Sequence, residues 1–174
     1  MRVVRTLTRG LMIFGRADKH LFNYSCTGFM NIKHKEITLE TAQDISIYDI
    51  TPRIQEFLAE TGVKNGQVVV FSKHTTTALA INENEERLLE DVKVHLKKLA
   101  PPDAKYLHND LHLRIVPEDE PINAHSHLMS MMLSTSEVIP IIDGKLALGT
   151  WQSVLFLDLD GPRKRVVLIQ IMGL

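Results

Sequence analysis

The chain has 174 residues and a mass of 19.7 kDa, the size of one domain able to bury most of the apolar surface its unfolded form exposes. With 44 % hydrophobic and 24 % charged residues it is neither disordered nor fibrous, and with Lys+Arg 20 against Asp+Glu 21 it has no net positive field to hold a phosphate backbone, which argues against nucleic acid as a partner. A lone cysteine, Cys26, makes no internal disulfide, and no apolar run reaches the ~20 residues of a membrane span, so the expected setting is the reducing cytoplasm, away from membranes.

Residues 1–30 set Arg2, Arg5, Arg9, Arg16 and Lys19 against one acid, Asp18, and carry no helical or strand period. They read as an N-terminal extension, disordered or mis-started, with Met30 as the alternative initiator; an Arg-rich targeting segment is the other reading. From Asn31 the pattern becomes regular. Ile37 and Leu39, then Ile45 and Ile47, alternate as on half-buried strands. Thr51-Pro52 has the form of an N-cap followed by proline, Ile54, Phe57 and Leu58 form an apolar stripe, and Gly62 marks the stop of a short helix.

Asn65-Gly66 leads into a β-rich run at 68–71, and residues 78–81 read as its neighbour, with a polar His74-Thr75-Thr76-Thr77 corner between them. Leu88, Leu89, Val92, Leu96 and Leu99 repeat at helical spacing until Pro101-Pro102, which places His95 at the core boundary and not among ligands. A third helix is expected over 123–133 with Leu128, Met129 and Met132 turned inward as core packing. Asp143-Gly144 and Asp160-Gly161 then punctuate two hairpins, with strands over 138–142, 146–148, 151–159 and 166–171. The expected class is α+β, an antiparallel β-sandwich core with two or three helices.

Eight histidines against one tryptophan are the compositional clue to chemistry, because neutral imidazole is a versatile metal ligand. His74, His108 and His127 fall in loops or at element ends; three imidazoles with an open fourth position suit a catalytic divalent ion, but spacing alone does not separate that from scattered histidines. If His125-Ser126-His127 is helical, its two rings point about 200° apart, so only one faces a site. Glu83 and Asp110 are candidates to orient an imidazole or accept a proton, against a helix cap at Asn84 and a solvated loop acid at Asp110. Thr75 and Thr76 offer hydroxyls and amides to phosphate oxygens, or are simply good strand residues. Arg163 and Arg165 form a phosphate clamp or a solvated hairpin tip. No Gly-rich nucleotide loop, HExxH or GxSxG appears.

Six pieces recur in order: His74-Thr75-Thr76 with Ala78; Ile81-Asn82-Glu83-Asn84; Tyr106-x-His108-x-Asp110; Ser126-His127-Leu128; Asp143-Gly144 with Leu148-Gly149-Thr150-Trp151-Gln152; and Asp160-Gly161-Pro162-Arg163-x-Arg165. Spread over residues 31–174, they resemble the YjbQ-like family, also described as secondary thiamine-phosphate synthases; residues 1–30 have no counterpart there. The resemblance implies a compact β-sandwich domain over 31–174, assembled as a homotrimer with pockets near subunit boundaries. It implies a transferase that joins hydroxymethylpyrimidine diphosphate to thiazole phosphate with loss of pyrophosphate. His74, His108 and His127 would converge as metal ligands or anion contacts. Glu83 and Asp110 would serve catalysis, and Thr75, Thr76, Asn82, Asn84, Gln152, Arg163 and Arg165 would bind the small phosphorylated substrate. Imidazoles select zinc, whereas pyrophosphate chemistry favours magnesium. The alternatives are a metal-dependent hydrolase of a phosphorylated metabolite, with Glu83 or Asp110 taking the proton of water, and a non-catalytic trimeric module binding such a metabolite.

Overall fold

Alternation governs the first strands: in the computed structural model, which describes residues 30–174, β1 (Asn31–Glu40) turns Ile37 and Leu39 inward and β2 (Asp44–Asp49) buries Ile45. The extension expected over 1–30 lies, Met30 apart, outside the described residues. Helix α1 (Thr51–Thr61) buries Ile54, Phe57 and Leu58 as expected and stops at Gly62, whose φ of 70° suits a residue without Cβ. Its start differs from the sequence reading. Ile50 is the N-cap residue, Asp49 Oδ1 accepts the Thr51 N–H at 2.9 Å, and Thr51 Oγ1 accepts the Val154 N–H at 2.8 Å, so the threonine ties the helix to a strand instead of capping it.

Then follow β3 (Gly66–Ser72), β4 (Thr77–Asn82), α2 (Glu86–Leu99), two short 3-10 turns, α3 (Ala124–Met132), β5 (Ser136–Ile142), β6 (Lys145–Leu146), β7 (Ser153–Gly161) and β8 (Lys164–Gly173). They form a five-stranded sheet, β1-β8-β3-β5-β6, and a three-stranded sheet, β2-β7-β4, with every pairing antiparallel. Val68, Val70, Ile139, Val167, Ile169 and Ile171 of the larger sheet meet Leu79, Val154 and Phe156 of the smaller one and the apolar stripe of α1. On the other side of the small sheet, Ile45, Ala78, Leu155, Leu157 and Leu159 pack on Leu96 and Met129. Strand β7 is therefore covered on both faces, which accounts for its nearly continuous apolar run. Asp143 and Gly144 take φ 51° and 75° in the turn before β6. Gly161 is required where a Cβ would meet the Ala42 carbonyl oxygen at 2.0 Å.

Both later helices depart from their expected faces. On α2 only Leu96 is buried, while Leu88, Leu89 and Val92 are half-buried and Leu99 and His95 are exposed. Its N-cap is Glu85, whose carboxylate accepts the Arg87 and Leu88 N–H groups, and not Asn84. On α3, Met129 is buried but Leu128 and Met132 are exposed. Two serines complete its inward face: Ser126 Oγ donates to the Leu159 carbonyl, and Ser130 Oγ donates to that of Thr77 at 2.7 Å. Apolar periodicity is blind to a helix docked through hydroxyls.

Candidate functional site

Beneath the polar corner between β3 and β4 lies a buried ionic knot. Arg165, on β8, donates from Nε to Asp158 Oδ2 at 3.0 Å and from Nη2 to Asp158 Oδ1 at 2.7 Å, a bidentate pair; Nη2 also donates to Thr76 Oγ1 at 3.0 Å. Thr41 Oγ1 donates to Asp158 Oδ2 and accepts the Arg163 N–H at 2.9 Å, and the Asp160 N–H reaches Asp158 Oδ1 at 3.1 Å. Burial alone would raise the Asp158 carboxyl, but the bonds from Arg165, Thr41 and Asp160 outweigh it and hold the group below the ordinary carboxylate range. Arg165, expected as a phosphate clamp, thus has its fork filled by a protein carboxylate. Sequence reasoning passed over Asp158, although an acid inside the apolar run Val154 to Leu159 was the signal that it must be paired.

Above the knot, two small cavities share His127, on the second turn of α3. The first, about 280 Å³, is polar and is lined by Thr75, Thr76, Glu120, Asn123, Asp160, Arg163 and Arg165 as well as His127. The second, about 290 Å³, is lined by Tyr106, Leu107, His108, Ala124, His127 and Leu128. The rings of His108 and His127 meet edge to face, centroids 4.9 Å apart at 64°. Burial, and secondarily His108, lower the pKa of His127, so its ring is neutral at neutral pH. Asp160 organises the polar lobe: its Oδ2 accepts from Asn123 Nδ2 at 2.8 Å and from Arg163 Nε at 3.2 Å. Arg163 is exposed, so an incoming anion meets its guanidinium in competition with Asp160. His125 lines neither lobe, as the helical argument required of one of the two rings.

Other expected residues stand elsewhere. His74 lines neither lobe; its Nε2 accepts the Val166 N–H at 2.9 Å, and burial followed by the Arg165 charge lowers its pKa. Asp110 borders a separate depression with Lys105 and Asn109. Asn82 and Glu83 line a groove beneath α2, Asn84 Nδ2 donates to Asp49 Oδ2 at 3.3 Å, and Gln152 Oε1 accepts the Gly149 N–H at 2.8 Å. Among the described residues no group of three His, Cys, Asp or Glu side chains is placed to hold a metal ion. His108 Nε2 is buried with no hydrogen-bond partner, but with His74 Nε2 engaged by the backbone, the two remaining imidazoles are an incomplete set for zinc. They also lack the oxygen ligands magnesium prefers. One chain alone does not fit the ion. No described helix is long and apolar enough to cross a membrane.

Comparison with known proteins agrees with the architecture. Residues 35–174 match the family described as UPF0047 protein YjbQ-like. A UPF0047 protein of Methanothermobacter thermautotrophicus is 40 % identical over 148 residues, covering 85 % of this chain and 97 % of that protein. One from Archaeoglobus fulgidus is 42 % identical over 137 residues, covering 79 % and 99 %. Among solved structures, a YbjQ-like protein of unknown function from Sulfolobus solfataricus superposes with a TM-score of 0.75 at 33 % identity, over 84 % of this chain and all of that one.

Proposed function

The chain belongs to the YjbQ-like UPF0047 family, and from that footing we propose that its two-lobed pocket takes a phosphorylated heterocycle and carries out a transfer of the thiamine-phosphate synthase type. The observation that carries this reading is the position of His127 as a wall common to a polar lobe and a lobe faced by Tyr106, Leu107 and Leu128. In this reading the phosphate lies against Thr75 and Arg163, and the ring lies beside Tyr106. Such a reaction forms a bond from the thiazole nitrogen to the methylene carbon of the pyrimidine and breaks that carbon's bond to oxygen. The electron pair leaves on pyrophosphate, and no proton has to move.

Orientation and charge stabilisation are then the whole task, and neutral His127 can donate one hydrogen bond to the departing oxygens beside Arg163. The divalent ion, zinc or magnesium, lacks a complete donor set in one chain, and no step is assigned to it. A hydrolase would need a base on water, and the carboxylates proposed for that role, Glu83 and Asp110, line neither lobe. Incubation with the two precursors tests the proposal. Thiamine phosphate and pyrophosphate are expected in equal amounts, with rates lowered by about a hundredfold in His127→Ala, the order of one lost transition-state donor. Binding without product would assign the pocket to a binding module, release of inorganic phosphate from esters would assign it to a hydrolase, and product formation unaffected by His127→Ala would remove the site from the reaction.

A further inference from the structure

One buried acceptor in the polar lobe is not engaged by the chain. Asn123 lines the lobe, is 6 % exposed, and donates from Nδ2 to Asp160 Oδ2 at 2.8 Å. Its Oδ1 is buried with no hydrogen-bond partner. The amide cannot be turned to relieve this, because the turn would set Oδ1 against the Asp160 carboxylate. Nor does the fold use the oxygen. Asn123 is the N-cap residue of α3, yet its side chain caps no helical N–H, and the Ala124 N–H goes to Asn109 Oδ1 at 3.1 Å instead. An acceptor left in this state costs free energy, which a donor arriving in the lobe would recover.

Charge around the lobe points the same way. Arg163, between β7 and β8, faces Asp160 of β7 at 3.2 Å; Arg165 of β8 faces Asp158 at 2.7 Å; and Glu120, from the loop before α3, faces Arg114 at 3.5 Å. His127 of α3 adds no charge at neutral pH. Each arginine beside the lobe therefore has an acid of its own, and an oxyanion that only accepts hydrogen bonds meets Glu120, Asp160 and the Asn123 carbonyl with nothing to give them. We propose that the polar lobe selects an oxyanion carrying its own O–H, a protonated phosphate in preference to a sulfate, and that Asn123 Oδ1 is the group that accepts from it. Thr75 and Arg163 are left to donate to the other oxygens. A site built around an acceptor rejects the analogue that lacks the donor, because two sets of oxygen lone pairs are then buried face to face. The inference rests on the reading of this lobe as the phosphate seat and deepens it: a phosphate ester enters as its monoanion.

Calorimetric titration of the full chain with inorganic phosphate and with sulfate, at about pH 8, is the test, because both anions are then doubly charged and differ by one O–H. Phosphate is expected to bind about 10–100-fold more tightly than sulfate. Asn123→Leu, which removes the acceptor at similar volume, should bring the two affinities together; a purely structural loss would weaken both anions and leave their ratio standing. Asn123→Asp, which keeps an oxygen acceptor in that place, should preserve the preference even where overall affinity falls. Thiazole phosphate gives a second reading in the wild type. Its affinity should fall roughly tenfold per unit between about pH 7 and 8.5, as the monoanion becomes scarce while His127 stays neutral. Equal affinity of the wild type for the two inorganic anions, no binding of either, an undiminished preference in Asn123→Leu, or ester affinity flat over that range overturns the inference. Preference for inorganic phosphate in a chain that binds no thiazole phosphate upholds it and removes the transferase reading alone.

Discussion

Two acid–arginine pairs flank the β7–β8 connection, where the chain passes from the small sheet to the large one, and their fates are opposite. In Asp158–Arg165 the side chains are 0 % and 6 % exposed; in Asp160–Arg163 they are 16 % and 41 % exposed. Sequence chemistry treats the two arginines as one clamp. Burial divides the labour instead: the inner pair ties β7 of the small sheet to β8 of the large one and holds Thr76, and the outer pair keeps a cation at the mouth of the polar lobe. An ion pair sealed from water is scaffold, because neither partner can leave without stranding a charge.

That contrast is most easily broken at its inner end. Asp158→Ala should lower the free energy of unfolding by about 3–5 kcal/mol, the effect of leaving Arg165 buried and uncompensated. Urea denaturation reads this directly, and a change under about 1 kcal/mol would mean that the pair is not scaffold. Thr41 links the two pairs by donating to Asp158 and accepting from Arg163. Its replacement, Thr41→Val, should destabilise by about 1–3 kcal/mol through unsatisfied buried partners, while a neutral outcome would show that water replaces it. At the outer end, Arg163→Ala should shift stability by less than about 1 kcal/mol yet weaken binding of thiazole phosphate by roughly 10–100-fold, measurable by calorimetry. Equal effects of Arg163→Ala and Asp158→Ala on stability would erase the distinction.

Acid acts on the same region in two stages. His74 and His127 have folded pKa values below the ordinary 6.5, so the unfolded chain binds their protons first, and stability is complete above about 6.5 and declines as pH falls toward the folded values. A protonated His74 Nε2 cannot accept the Val166 N–H, which gives the loss a structural location. Asp158, with a depressed folded pKa, keeps its contribution above the ordinary carboxylate range and loses it only in stronger acid. Urea midpoints for the wild type should therefore fall between pH 7.5 and 5.5, and less so in His74→Gln; a flat wild-type profile contradicts the assignment.

How legible this molecule is in its sequence depends on which physical signal placed each part. The class, the hairpin at Asp143-Gly144, and the stripe of Ile54, Phe57 and Leu58 follow from period and turn chemistry, and the structure agrees. The second expected hairpin does not form: at Asp160-Gly161 the chain crosses from β7 of the small sheet to β8 of the large one, and the two strands pair with other partners. The inward face of α3 does not, because Ser126 and Ser130 anchor it by hydrogen bonds. The site divides in the same way. Thr75, Thr76, His127 and Arg163 line one polar lobe, while Arg165 and His74 are held by the chain's own Asp158 and Val166 N–H. Residue type announces what a side chain can bind and is silent on whether a neighbour has already claimed it.

Calorimetric titration of thiazole phosphate tests the central claim, that the seat of the phosphorylated ligand is the pocket around His127. Saturable binding is expected in the wild type, strongly weakened in His127→Ala and Arg163→Ala and unchanged in Gln152→Ala, whose side chain serves the Gly149 turn. Affinity indifferent to His127→Ala, or abolished by Gln152→Ala, would place the seat elsewhere and contradict the account.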